Sequence, residues 1–148
     1  MDSQEIERRA EHAQDLFRQG FNCAQAVFAA CADLYGIEDE QLALRLAASF
    51  GGGIGRMRMV CGAASGMFML AGLHNGSATP HDNEGKMANY ELVQNLANQY
   101  KNTYGSLVCA ELLGLKPCED KNAKLNKQPC IEMVAQAVRI FLNYTHNK

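Results

Sequence analysis

Gly51-Gly52-Gly53-Ile54-Gly55-Arg56-Met57-Arg58-Met59-Val60-Cys61-Gly62-Ala63-Ala64-Ser65-Gly66 is the stretch around which the chain is organised. Four of its first five residues are glycine, so backbone can turn through positive φ there and come close to another group without strain. Two arginines follow, and Cys61 then opens an apolar segment, Met67-Phe68-Met69-Leu70-Ala71. Open N–H groups, positive charge and a thiol at a helix start all favour an anion, either a thiolate or the sulfur-ligated face of a metal cluster.

On both sides of this stretch the pattern is helical. Upstream, Ile6, Ala10, Ala13, Leu16 and Phe17 recur at helical spacing over Gln4 to Gln19, and Gly20 suits the end of that helix. Asn22 is a good cap for a second helix running to Tyr35, stopped by Gly36. Asp39 caps a third, with Leu42, Leu44, Leu46 and Phe50 as its apolar positions, and the glycine run stops it.

Downstream, Cys61 to Leu73 forms a helix whose alanines and glycines permit close packing, with methionine as adaptable filler. Residues 74–81 read as a loop. A long helix from Asn83 to Tyr104 carries Met87, Tyr90, Val93, Leu96, Ala97 and Tyr100 on one stripe, and Gly105 closes it. Ser106 begins a short helix to Gly114, residues 116–128 are polar and turn-rich, and Pro129 opens the last helix. No period-2 run, internal repeat or low-complexity tract interrupts the pattern. The expectation is an all-α fold, a compact single-domain bundle of about six or seven helices over residues 1–148.

With 47% hydrophobic and 20% charged residues and a net charge of -2, the composition is that of an ordinary soluble globular domain. That balance argues against nucleic-acid binding, which needs a basic face. The acidic, polar start Met1-Asp2-Ser3-Gln4-Glu5 has no secretory-signal character, and the longest largely apolar run, Met59 to Leu73, is too short and glycine-rich to cross a membrane. A cytoplasmic location is expected, where six cysteines read better as ligands or redox groups than as a disulfide framework.

Four of those six fall in the first turn of an expected helix: Cys23 after Asn22, Cys61 after the glycine run, Cys109 after Ser106 and Cys130 after Pro129. Helix starts carry partial positive charge and unpaired N–H groups, so thiols there are expected to acidify from about 8.5 toward neutrality. If the four starts point to one centre, they make a pocket for negative charge. Its occupant is either a four-thiolate iron–sulfur cluster or a thiol pair cycling through a disulfide. The bland alternative is that several are buried apolar cysteines. Cys31, mid-helix between alanines, reads as core, and Cys118 as an exposed bystander or a resolving thiol near Cys109.

Other motifs are weak. There is no C-x-x-C, and the spacings 23, 61, 109 and 130 are too wide for a zinc ribbon. The glycine run follows a helix instead of a strand and lacks the Lys-Ser/Thr ending of a phosphate loop, and Ser65 has no strand before it to make a nucleophile elbow. His12 reads as a residue of a solvated face. His74 and His81 border the loop after the central helix, where a surface role is the ordinary one and an approach to the site the sharper one.

Taken together these residues resemble the small family of redox-active proteins named for its C…GCAxxG…C…C cysteine pattern. The likeness rests on Cys23 in Phe21-Asn22-Cys23-Ala24-Gln25-Ala26-Val27 and on Cys61-Gly62-Ala63-Ala64-Ser65-Gly66. It also rests on Cys109-Ala110-Glu111-Leu112-Leu113-Gly114, on Pro129-Cys130-Ile131, and on the glycine-rich approach. The resemblance implies four functional thiols, Cys23, Cys61, Cys109 and Cys130, acting as catalytic or metal-ligating groups, with Cys31 and Cys118 outside the set. A related domain in split-Soret-type cytochromes implies electron transfer or cluster binding by analogy. Covalent haem is not expected, because no C-x-x-C-H is present.

The expectation is therefore an oxidoreductase or electron carrier with an iron–sulfur cluster or a reactive dithiol. Gly51, Gly52, Gly53, Gly55, Arg56 and Gly62 stand close to the cofactor, and Arg56 or Arg58 tunes its potential. The alternative is a non-catalytic module binding zinc or another soft metal through the same thiols. A redox protein is the expected partner and a homodimer is left open, with neither nucleic acid nor membrane expected.

Overall fold

The computed structural model describes residues 1–114 and 128–146. Among the described residues are seven α-helices and no strand: α1 (Ser3–Arg18), α2 (Cys23–Cys31), α3 (Glu40–Ala47), α4 (Gly62–Asn75), α5 (Asn83–Tyr104), α6 (Cys109–Leu112) and α7 (Gln128–Thr145). Single 3₁₀ turns extend α2 through Ala32–Tyr35 and α3 through Ala48–Phe50. The all-α expectation holds.

Helix starts follow their caps. Asp2, Asn22, Asp39 and Asp82 each accept from a backbone N–H in the first turn, and Asn22 with Gln25 makes a reciprocal capping box. Left-handed Gly36 and Gly105 follow the second and fifth helical segments.

The packing centres on α2, which lies against α1, α3, α4 and α7. Small residues make this possible. At Gly66 of α4 an added Cβ would sit 2.9 Å from the Ala24 carbonyl oxygen and 3.0 Å from Val27 Cβ, and at Gly62 it would sit 3.0 Å from Cys23 Cβ. The two glycines, one helical turn apart, let α4 lie directly on α2 and place the start of α4 beside Cys23. Residues 62–67 of α4 are buried all round, with α2, α5 and α7 as neighbours.

Two apolar faces differ from the sequence expectation. In α3 the buried residues are Ala43, Leu44 and Ala47, while Leu42 and Leu46 are 46% and 47% exposed. Both pairs have i, i+4 spacing, and the alanine pair wins because it lets α3 approach α2 closely. In α5 the buried face is Leu92, Leu96 and Tyr100, with Met87 and Tyr90 exposed. Asn89 faces the end of α4, donating to Ala71 O (3.0 Å) and Asn75 Oδ1 (2.9 Å), which turns Met87 and Tyr90 outward. The short helix expected from Ser106 begins at Cys109 instead. Residues 107–110 first pair with 58–61, with Cys61 N–H donating to Leu107 O (2.7 Å) and Cys109 N–H to Met59 O (2.6 Å) around a Val60–Val108 bridge.

Candidate functional site

Cys23, Cys61, Cys109 and Cys130 line one cleft of about 470 Å³ at the starts of α2, α4, α6 and α7. Helix packing brings Cys23, Cys61 and Cys130 together, and the pairing of residues 107–110 with 58–61 adds Cys109. Cys23 is the first residue of α2, Cys61 caps α4, Cys109 begins α6 and Cys130 is the third residue of α7. Cys61 and Cys109 are buried, and Cys23 and Cys130 are partly exposed. The Cys23 and Cys130 thiols hydrogen-bond each other across the α2–α7 contact. Cys31 is fully buried in the core, away from the cleft lining, and Cys118 lies outside the described residues.

The floor of the cleft is the glycine loop, and its conformation is unusual. Gly52, Gly53, Ile54, Gly55 and Arg56 have positive φ in succession, from +56° to +75°, and Arg58 follows at +61°. For Ile54, a β-branched residue, this region is strongly disfavoured, so the loop stores strain that its own hydrogen bonds must offset. Gly55 N–H donates to Ser49 O, Arg56 to Gly51 O, Arg58 to Gly52 O and Met59 to Gly53 O, at 2.9–3.2 Å. Gly51 abuts the Asn22 side chain, and an added Cβ at Gly53 would fall 2.6 Å from Met59 N.

Gly51, Gly52, Gly55, Arg56, Arg58 and Gly62 line the cleft, whereas Gly53 is buried behind it and packs on the loop itself. The loop therefore corrects one expectation. Of the N–H groups expected from Gly51 to Gly55 as donors to a cofactor, those of Ile54 and Gly55 are engaged by Phe50 O and Ser49 O of the turn before the loop.

Of the two arginines, Arg56 is exposed and Arg58 is buried with 6% of its surface accessible. Arg58 Nη1 points at Cys109 Sγ (3.8 Å), and its Nε has no hydrogen-bond partner. A second contact was not legible as a site feature: Tyr100 Oη lies 3.2 Å from Cys61 Sγ, fully buried, with its ring against Tyr104 at 5.0 Å. In the sequence Tyr100 was only one member of an apolar stripe. A tyrosine among otherwise aliphatic buried positions was the available signal, because a buried phenol needs a polar partner.

The expected acidification of the thiols does not occur at three of the sites. The hydrogen bond to Cys130 followed by burial holds the Cys23 thiol well above its ordinary range. Burial likewise pushes Cys61 up, against the lowering influence of Tyr100 and of the Ala63 and Ala64 N–H groups, and pushes Cys109 up against Arg58. The helix-start effect is present, but desolvation of the charged form outweighs it. The Cys23–Cys130 hydrogen bond favours the state in which Cys23 keeps its proton.

The histidines lie elsewhere. His74 Nδ1 is 2.9 Å from Tyr35 Oη in a cluster with Phe141 and His146, and neither His74 nor His81 lines the cleft. His12 faces Glu40 at 3.4 Å on the half-exposed side of α1. Among the described residues no three His, Cys, Asp or Glu side chains are grouped so as to hold a metal ion.

The family model described as "Putative redox-active protein (C_GCAxxG_C_C)" matches residues 21–144, and the chain belongs to that family. No curated protein and no solved structure matches it. No helix among the described residues is long and apolar enough to cross a membrane.

Proposed function

We propose that this member of the family works by thiol chemistry in the four-cysteine cleft, with Cys23 and Cys130 cycling between dithiol and disulfide. The observation that carries the reading is their mutual hydrogen bond, made by the two cysteines of the cleft that are partly exposed. Exchange needs a sulfur that can ionise and that an incoming disulfide can reach. Cys130 is placed for both: it lies in the first turn of the 18-residue helix α7, where partial positive charge favours a thiolate, and it is partly exposed.

In the forward step Cys130 Sγ attacks one sulfur of a disulfide on a partner protein, whose second sulfur leaves as a thiol. Cys23 Sγ then attacks Cys130 in the mixed disulfide, closing Cys23–Cys130 and releasing the partner's other thiol. Two electrons and two protons pass from the cysteine pair to the partner. The reaction belongs in a compartment that keeps thiols reduced, such as the cytoplasm.

A second reading is an iron–sulfur cluster held by Cys23, Cys61, Cys109 and Cys130, which would supply one-electron transfer. Four thiols lining one cleft beside two arginines, with no carboxylate among the lining residues, favour it by number and charge. The hydrogen-bonded, partly exposed Cys23–Cys130 pair favours the disulfide reading over the cluster and over a zinc module on the same thiols.

The test starts from protein purified without oxygen, assayed for iron, sulfide and zinc with a visible spectrum, beside Cys61→Ala and Cys31→Ala variants. Disulfides are mapped by mass spectrometry after exposure to an oxidised dithiol. A reversible Cys23–Cys130 bond in metal-free protein is the expected result. Iron and sulfide lost only in Cys61→Ala would replace it with the cluster, and zinc alone would replace it with the metal-binding module.

A further inference from the structure

The cleft differs from the rest of the molecule in charge. The chain carries a net charge of -2, yet among the described residues the cleft is lined by Arg56 and Arg58 and by no Asp, Glu or Lys. Arg58 is the more informative of the two. Its side chain is more than nine-tenths buried, its Nη1 donates to the Cys109 sulfur at 3.8 Å, and its Nε has no hydrogen-bond partner among the described residues. A buried guanidinium is normally paired with a carboxylate, and among the described residues no carboxylate lines the cleft beside this one.

It is also held firmly. Arg58 N–H donates to Gly52 O (3.1 Å) and Arg58 O accepts from Ala110 N–H (3.2 Å), so its left-handed backbone is fixed from both sides. Strain retained to keep a cation in a cleft with its Nε unsatisfied points to an anionic ligand. The remaining wall is mixed, with Asn22 and Gln25 polar and Phe21 and Met133 apolar, and its volume suits a small molecule.

We propose that the cleft takes as substrate a small disulfide bearing a carboxylate, whose anionic end pairs with Arg58 while its sulfur–sulfur bond lies against Cys130 and Cys23. This assignment rests on the thiol–disulfide reading above and puts a small disulfide in the place of the partner protein's as the oxidant at the same site. Cys130 Sγ forms a bond to one substrate sulfur as the substrate S–S bond breaks, and the first thiol leaves with one proton. Cys23 Sγ then displaces the second thiol, which takes the other proton. The protein dithiol is oxidised by two electrons and one disulfide becomes two thiols.

The test uses the whole chain, pre-reduced and freed of reductant. Single-turnover oxidation is followed with dithiodipropionate (anionic), hydroxyethyl disulfide (neutral) and cystamine (cationic). Each rate is divided by that of dithiothreitol with the same compound, which removes differences in intrinsic reactivity. The normalised rates are expected to fall in the order anionic, neutral, cationic. The first should exceed the last by at least roughly tenfold, a preference worth about 1.4 kcal/mol, and the gap should narrow in high salt.

Arg58→Met is expected to flatten the order and Arg58→Lys to restore part of it, with helical circular dichroism checking the fold. If Arg58→Met does not fold, the order and salt dependence of the unmodified chain still decide. Equal normalised rates with a Cys23–Cys130 disulfide formed by all three compounds would overturn the anion site and leave the thiol–disulfide reading standing. Formation of that disulfide with none of them would overturn the reading beneath it.

Discussion

Replacing Gly66 by alanine should destabilise the protein, whereas the same change at Gly72, in the same helix, should stabilise it. Alanine for glycine inside a helix ordinarily gains about 0.5–1 kcal/mol, because the unfolded chain loses freedom. At Gly72 the new Cβ meets nothing within 4 Å, so that gain should be realised in full. At Gly66 the Cβ would lie 2.9 Å from the carbonyl oxygen of Ala24 and 3.0 Å from Val27 Cβ. A backbone carbonyl cannot rotate aside, so α2 must move away from α4. Overpacking of this kind costs about 1–3 kcal/mol, leaving a net loss of up to about 2.5 kcal/mol.

Urea denaturation followed by circular dichroism measures both variants, with unchanged slopes and midpoints displaced in opposite directions. Because α2 carries Cys23 and α4 follows Cys61, the Gly66 variant should also alter the reactivity of the Cys23–Cys130 pair. If Gly66→Ala proves as stabilising as Gly72→Ala, the close α2–α4 contact is wrong, and with it the account of how Cys23 reaches the cleft.

Two further outcomes follow from the buried acids. Burial pushes the Cys31 thiol from 9.0 to about 12, so the folded chain holds a proton that the unfolded chain releases. Stability should therefore fall as pH rises through this window, by about 1.4 kcal/mol per pH unit and roughly 4 kcal/mol in all from this group. Urea titrations at increasing pH should show a shallower alkaline loss in Cys31→Ala, and an identical slope would refute the assignment. Tyr100→Phe removes the hydrogen bond that partly lowers the Cys61 thiol. Cys61 should then be alkylated more slowly at a given pH, and the fold should lose about 1 kcal/mol. Residue-resolved alkylation by mass spectrometry tests the first, and unchanged or faster labelling of Cys61 would count against the contact.

Much of the architecture was legible because its determinants are local. The starts of α2, α3 and α5 stand where Asn22, Asp39 and Asp82 cap them, and Gly36 and Gly105 close their segments in the left-handed conformation. Faces were harder to read. Leu42 and Leu46 look like core by hydrophobicity, yet Ala43 and Ala47 are buried, because the depth of approach to α2 decides which i, i+4 pair turns inward. The break at Cys109 was also hidden, since residues 107–110 pair with 58–61, about fifty positions earlier in the chain.

The sequence by itself determined that the chain is helical, where most helices begin, and that four thiols stand at helix starts. Each of these follows from hydrogen bonds and side-chain periodicity within a few residues. Only the tertiary structure decided that Arg58, and not Arg56, faces a thiol, that Tyr100 reaches Cys61, and that Cys23 touches Cys130. It also reversed the expected acidity at Cys23, Cys61 and Cys109. A helix start supplies partial positive charge wherever it lies, but the cost of ionising a thiol depends on how much protein surrounds it. That enclosure is made by residues distant in sequence, and no local pattern records it.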